Sequence, residues 1–106
     1  MRLAVLIGMG FVGLASAAAV RPMPARETAR KVLQARGCGS CHDSAVSTEH
    51  PNALAVYDLH ETQWAAKMSD ERLPKLLTRL RSAPATDREV VRRFIKAELT
   101  ARAQAK

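Results

Sequence analysis

The sequence predicts an all-α protein, a small bundle of three to four helices. Three segments repeat apolar residues at the three- and four-residue spacing of helices, and no stretch shows the alternation of strands. With 106 residues, 4% of them aromatic, the chain accommodates one small domain whose core is mainly Leu, Val and Ala. Such a small core usually needs a disulfide, a metal or another group to stabilise it, and the two cysteines are the first candidates to provide one.

Residues 1–19 have the pattern of a signal peptide. Arg2 supplies a positive start, an uncharged apolar stretch follows, and Ala15, Ala17 and Ala19 fit the small-residue pattern of signal peptidase. The alternative is a retained membrane anchor, since the uncharged stretch continues to Val20. Either outcome exports the rest of the chain.

The next segments are a leader, a helix and a loop. Two prolines predict an extended leader over residues 20–25, and residues 26–103 form the predicted domain. From Ala25 an apolar stripe predicts the first helix, and Gly37 supplies its stop. Polar residues 43–52 predict a loop, whereas residues 53–67 fit either a short helix or an irregular loop.

Two more helices are predicted after this middle segment. In the second helix, Ser69 or Asp70 is the expected cap, and Pro74 either tightens the first turn or marks the true start. Its apolar positions are Leu73, Leu76, Leu77 and Leu80. The closing helix is predicted to start at a capping box over residues 86–89. Its expected buried face comprises Val90, Val91, Phe94, Ile95 and Leu99.

Directly after the first helix, Cys38, Cys41 and His42 form a C-x-x-C-H sequence, the attachment motif of c-type haem. Two thiols at this spacing can bond to the two vinyl groups on one edge of haem. The adjacent histidine can then reach the iron from one face as the proximal ligand. The motif predicts one covalently bound haem as cofactor.

Three other interpretations of the cysteines are weaker. A disulfide between Cys38 and Cys41 leaves His42 unexplained and closes a loop too short to stabilise much. A thioredoxin-like pair needs a βαβ context. Zinc needs four ligands, and His50 and His60 lie at least nine residues beyond Cys41 without finger-like spacing.

With this motif between an opening helix and a closing helix, the chain resembles the small monohaem c-type cytochromes of bacteria. The resemblance covers about residues 25–99 and implies a cytochrome c-like bundle in which the first and last helices pack together beside the haem. It also implies attachment of the haem outside the cytoplasmic membrane, in agreement with the export signal.

The second axial ligand of the iron is expected to be Met68, which resembles the family's loop methionine in lying between the haem motif and the closing helix. The alternatives are His60, His50, an open position, and a core role for the methionine. Trp64 is expected either to wall the pocket or to donate its indole proton to a haem propionate.

Two functions follow. The first is a periplasmic or membrane-anchored electron carrier that is not an enzyme and whose haem iron cycles between Fe(II) and Fe(III). The second is a haem enzyme or ligand sensor with an open iron site. The formal charge of +7 favours either an acidic redox partner, free or part of a respiratory complex, or an anionic membrane face. The alternative is that the scattered arginines only keep the protein soluble. Few aromatics and an exported location exclude a nucleic-acid partner.

Overall fold

The computed structural model describes residues 22–106, which fold into five helices with no strand among them. The helices are α1 (Pro22–Ala35), α2 (Gly39–His42), α3 (Pro51–Val56), α4 (Lys75–Arg79) and α5 (Ala85–Ala105). The all-α prediction is confirmed for these residues. The expected signal peptide lies outside them. Within residues 22–106, no helix combines the length and apolarity needed to cross a bilayer.

Helix α1 begins earlier than the sequence predicted. It starts at Pro22, so the extended leader expected over residues 20–25 is wrong for the part that the structure describes. The reason is that both prolines, Pro22 and Pro24, lie in the first turn, where backbone N–H groups have no intrahelical acceptor. Their missing donors therefore cost nothing, and the fixed φ of proline favours the helix.

The end of α1 is a Schellman turn that leads directly into the cysteine motif. Gly37 has a φ of +85°, the left-handed conformation that suits glycine. The amide of Gly37 donates to the carbonyl of Gln34 at 3.1 Å, and the amide of Cys38 donates to that of Leu33 at 3.0 Å. The predicted stop is confirmed, and it sets the position of Cys38.

The core is built mainly where α1 packs against α5, the most extensive contact between helices. Apolar side chains from both helices are buried in one cluster: Ala29, Leu33, Val91, Phe94 and Ile95. At the same crossing, Arg26 and Glu98 form a largely buried ion pair at 3.5 Å. The predicted apolar face of the closing helix is confirmed at its centre, whereas Val90 and Leu99 are only partly buried.

The predicted capping box of the closing helix is wrong. Pro84 is the N-cap, and no side chain caps this end. The amides of Asp87 and Arg88 donate to the Pro84 carbonyl at 3.0 and 3.1 Å. Because the helix already begins at Ala85, Thr86 is its second residue and lies too far inside to act as the cap.

The second predicted helix is shorter than its leucine pattern suggested. Residues 70–74 form turns, and the regular helix α4 follows Pro74, which confirms the later of the two expected starts. Before it, helix α3 begins at Pro51, so the loop predicted over residues 43–52 is wrong for its last two residues, and the ambiguous segment after α3 consists mainly of turns. The carboxylate of Asp58 accepts hydrogen bonds from the amides of Ser44 and His60, at 2.9 and 3.0 Å, and so ties the loop before α3 to the segment after it.

Candidate cofactor site

One open cavity of about 1110 Å³ brings the predicted site residues together. Cys38, Cys41 and His42 line it from the end of α1 and from α2, and Met68 lines it from the turns before α4. Cavities that hold drug-sized ligands and cofactors are commonly about 300–1,000 Å³. This cavity therefore has the volume for a large planar cofactor.

The two cysteines share one helical turn. The amides of Cys41 and His42 both donate to the carbonyl of Cys38, at 3.3 and 3.0 Å, so that Cys38 begins the turn and His42 ends it. Residues three apart in a helical turn lie on the same face. The C-x-x-C-H spacing therefore places both cysteines on one face of the turn, where their half-buried, free thiols line the cavity.

His42 is held by backbone carbonyl groups. Its Nδ1 lies 2.9 Å from the oxygen of Ala53 and 3.2 Å from that of Tyr57, and both of these atoms are acceptors. Nδ1 must therefore carry the proton, which leaves the lone pair of a neutral imidazole on Nε2. The ring of Tyr57 also stacks on the imidazole, with centroids 3.9 Å apart and planes inclined by 7°. This arrangement orients the ring as metal-binding histidines are usually oriented.

Met68 is buried, with 4% of its surface exposed, and its position at the cavity comes from a turn closed by its own amide, which donates to Ala65 at 3.1 Å. The other candidate ligands lie elsewhere. His50 and His60 are exposed, and neither lines the cavity. Among the three, Met68 is the one that shares a cavity with His42.

Trp64 has a different position from the one expected for a residue that contacts the cofactor. It is fully buried, does not line the cavity, and donates its indole N–H to the carbonyl of Arg26 at 3.2 Å. Because indole has a single donor, this bond replaces the expected bond to a propionate. Trp64 packs between Tyr57 and Phe94, with ring centroids 5.6 and 5.1 Å away. It is a core residue behind the wall that Tyr57 forms.

The cavity is strongly basic. Five cationic side chains line it: Arg36, Arg72, Lys75, Arg79 and Arg81. In the part of the chain that the structure describes, no acidic side chain does so. The arrangement therefore favours an anionic ligand, since like charges gathered around one opening repel each other unless they are compensated.

Burial disfavours ionisation of both the thiol and the phenol at the cavity wall. Burial raises the pKa of the Cys38 thiol, although a hydrogen bond with Tyr57 and the charge of Arg79 act in the opposite direction. Burial, together with the neighbouring Cys38, raises the pKa of the Tyr57 hydroxyl well above its usual range. These directions follow from the loss of water around groups that would otherwise ionise.

The sequence interpretation missed two features of this site. The first is the pair of carbonyl oxygens, from Ala53 and Tyr57, because a backbone acceptor carries no residue-specific signal. The second is the basic lining. Arg72, Lys75 and Arg79 are exposed, as charged residues beside the leucine pattern usually are, but which exposed cations line a cavity depends on the fold.

Comparison of the chain with protein-family models, with curated proteins and with solved structures finds no match. Among residues 22–106, no three His, Cys, Asp or Glu side chains lie together as a metal-binding group.

Proposed function

We propose that this protein is an electron-transfer protein of the c-type cytochrome kind, with one haem attached through Cys38 and Cys41 and bound at the iron by His42 and Met68. The observation that carries the proposal is the meeting of these four residues in one cavity, with the proton of His42 held on Nδ1. When bound, haem supplies one-electron chemistry between the ferrous and ferric states of its iron.

In this function His42 provides a ligand atom that is already oriented. The bond from Nδ1 to Ala53 fixes the tautomer and limits rotation of the ring, so that Nε2 would be the atom available to bind the iron. The stacked ring of Tyr57 restricts the imidazole from its flat side.

The basic lining fits the two carboxylates that haem carries. Charge-assisted hydrogen bonds from arginine to carboxylate are short and often bidentate. Arg72 and Arg79 are suitable donors because they follow Met68 in the sequence and line the same cavity. Neutralisation of the propionates by such residues also offsets the mutual repulsion of the cations around the opening.

The burial of Met68 at the cavity favours an electron carrier over a haem enzyme or ligand sensor. An enzyme or sensor requires an open iron position and a nearby acid or base, whereas His60, the residue considered for that role, is exposed and lies away from the cavity. Met68 and His42 together would supply the thioether and imidazole typical of electron-transfer haems, and the thioether would raise the reduction potential.

The proposed setting is the periplasm, or the outer face of the membrane if residues 1–19 are retained as an anchor. There the proposed partner is an acidic redox protein, either free or within a respiratory complex. Support comes from the net positive charge of the chain and from the exposed cations that line the cavity.

The test is the mass of the denatured protein after expression with a working haem-attachment system. We expect the polypeptide mass plus one haem, and the characteristic absorption of a c-type haem that survives acid extraction. Cys38→Ala and Cys41→Ala are matched variants, each of which leaves one thioether. A bare polypeptide mass for the unaltered sequence contradicts the proposed function.

A further inference from the structure

Arg102, near the end of α5, binds the segment that carries Met68. Its guanidinium donates to the carbonyl oxygen of Met68 at 2.7 Å and to that of Ala65 at 3.0 Å. It also donates to the carboxylates of Asp70 at 2.9 Å and Glu98 at 3.1 Å. One side chain on α5 therefore holds the segment of residues 65–70, which lies more than thirty positions earlier in the sequence.

The two carbonyl groups are the ends of the turn that presents Met68. The amide of Met68 closes this turn on the oxygen of Ala65, and the same oxygen also accepts from Arg102. Met68 itself offers its own carbonyl to Arg102. The turn is thus held at both ends by one planar group, a geometry that the fork of donors in arginine allows and the single ammonium of lysine does not.

Arg102 is itself held by buried groups. Its side chain is 21% exposed and that of Glu98 only 10%. Glu98 also pairs with Arg26 at 3.5 Å, so the series of ion pairs continues across the α1–α5 crossing. Arg92 and Arg93 on the same helix differ from it, because both bind the exposed side chain of Glu89 and their own side chains are more than half exposed.

We infer that Arg102 is a positioning residue, which holds the turn of residues 65–68 against the α1–α5 crossing and so keeps Met68 on the haem iron. This inference rests on the proposed function. The energy that retains Met68 comes partly from the thioether bond and partly from the fixed turn, since a free turn loses more entropy when the methionine binds. Arg102 supplies the second part.

The experiment is a titration of the oxidised, haem-loaded protein with imidazole, which competes with Met68 for the iron and changes the visible spectrum. In Arg102→Gln, we expect the affinity for imidazole to rise by about tenfold or more, since several charge-assisted hydrogen bonds are lost. Hydrogen exchange at the Met68 amide is expected to accelerate by about the same factor, without a change at the central amides of α5. Arg93→Gln is the matched control and should leave both quantities within about twofold.

Unchanged imidazole affinity and unchanged exchange in Arg102→Gln would overturn the inference. If Arg102→Gln does not accumulate as holoprotein, Asp70→Ala decides the question, because Asp70 is about half exposed and its loss removes one of the four contacts. In Asp70→Ala, a smaller rise in imidazole affinity supports the inference, and an unchanged affinity overturns it. A different result would refute Met68 as an iron ligand. In that case Met68→Leu has the same affinity for imidazole as the unaltered protein.

Discussion

Replacement of Met68 by leucine separates its proposed role as an iron ligand from its role in the core. Met68 is 4% exposed and belongs to the main apolar cluster, so Met68→Ala leaves a cavity and costs about 2–5 kcal/mol through packing alone. Leucine has nearly the same volume and no sulfur. Its packing cost is expected to stay below about 1.5 kcal/mol. Any larger effect on the iron then belongs to the thioether.

We expect oxidised Met68→Leu to lose the weak far-red absorption band of methionine-bound haem and to show a high-spin or water-ligated spectrum. Its reduction potential should fall, because a thioether stabilises the ferrous state. The measurements are absorption spectroscopy and a potentiometric titration, with denaturant unfolding to record the packing cost.

His60→Ala is the matched control. The side chain of His60 is exposed, whereas the bond from this residue to Asp58 uses its backbone amide and survives the substitution. Stability should stay within about 0.5 kcal/mol of the parent, with spectrum and potential unchanged. Absence of the far-red band from the oxidised parent protein, or an altered spectrum in His60→Ala with none in Met68→Leu, would refute the assignment of the ligand.

Three further outcomes are expected. Trp64→Phe should lower the free energy of unfolding by about 2–3 kcal/mol, because it removes a buried hydrogen bond to Arg26 and part of a filled core. The reduction potential should stay constant. A shifted potential with unchanged stability would instead support a hydrogen bond from Trp64 to a haem propionate. Although burial opposes the ionisation of Asp58, hydrogen bonds from the amides of Ser44 and His60 keep the pKa of its carboxyl below the usual value. The ionised carboxylate therefore stabilises the fold above the unfolded carboxyl pKa of about 3.9. This stabilisation is lost as the pH falls through the lower pKa of the folded state. Acid unfolding of Asp58→Asn, followed by circular dichroism, should show a weaker pH dependence in that range, and an unaltered profile would contradict the assignment. Finally, electron-transfer rates with an acidic partner should fall steeply as ionic strength passes about 0.1 M, where the screening length is about 10 Å, and a rate indifferent to salt would remove the cations from recognition.

Several elements could be predicted because their causes lie within a few residues of one another. Gly37 ends α1 through its own left-handed conformation, and the predicted apolar face of α5 is buried at its centre. The errors at the helix starts have equally local causes. The two prolines predict an extended leader, whereas Pro22 lies in the first described turn of α1; the residues at 86–89 predict a side-chain cap, whereas Pro84 positions the first turn of α5 through its backbone.

The candidate site was predictable to the extent that its chemistry lies in residue types. Cys38, Cys41 and His42 act through their spacing within one turn, so the order of residues is sufficient to recognise them. Met68 could be preferred to His60 only through its resemblance to the family's loop methionine, because both are ligands by chemistry and differ in which of them the fold brings to the cavity.

Helix periods, the glycine stop and the C-x-x-C-H motif are properties of neighbouring residues, and the order of amino acids establishes them. Packing of the closing helix against the first establishes the rest. It buries Trp64 on the carbonyl of Arg26, places Met68 beside the cavity of His42, and brings Arg102 to the turn that carries the methionine. These contacts join residues tens of positions apart, and their energies depend on burial and on the direction of backbone carbonyl groups, neither of which exists until the chain has folded.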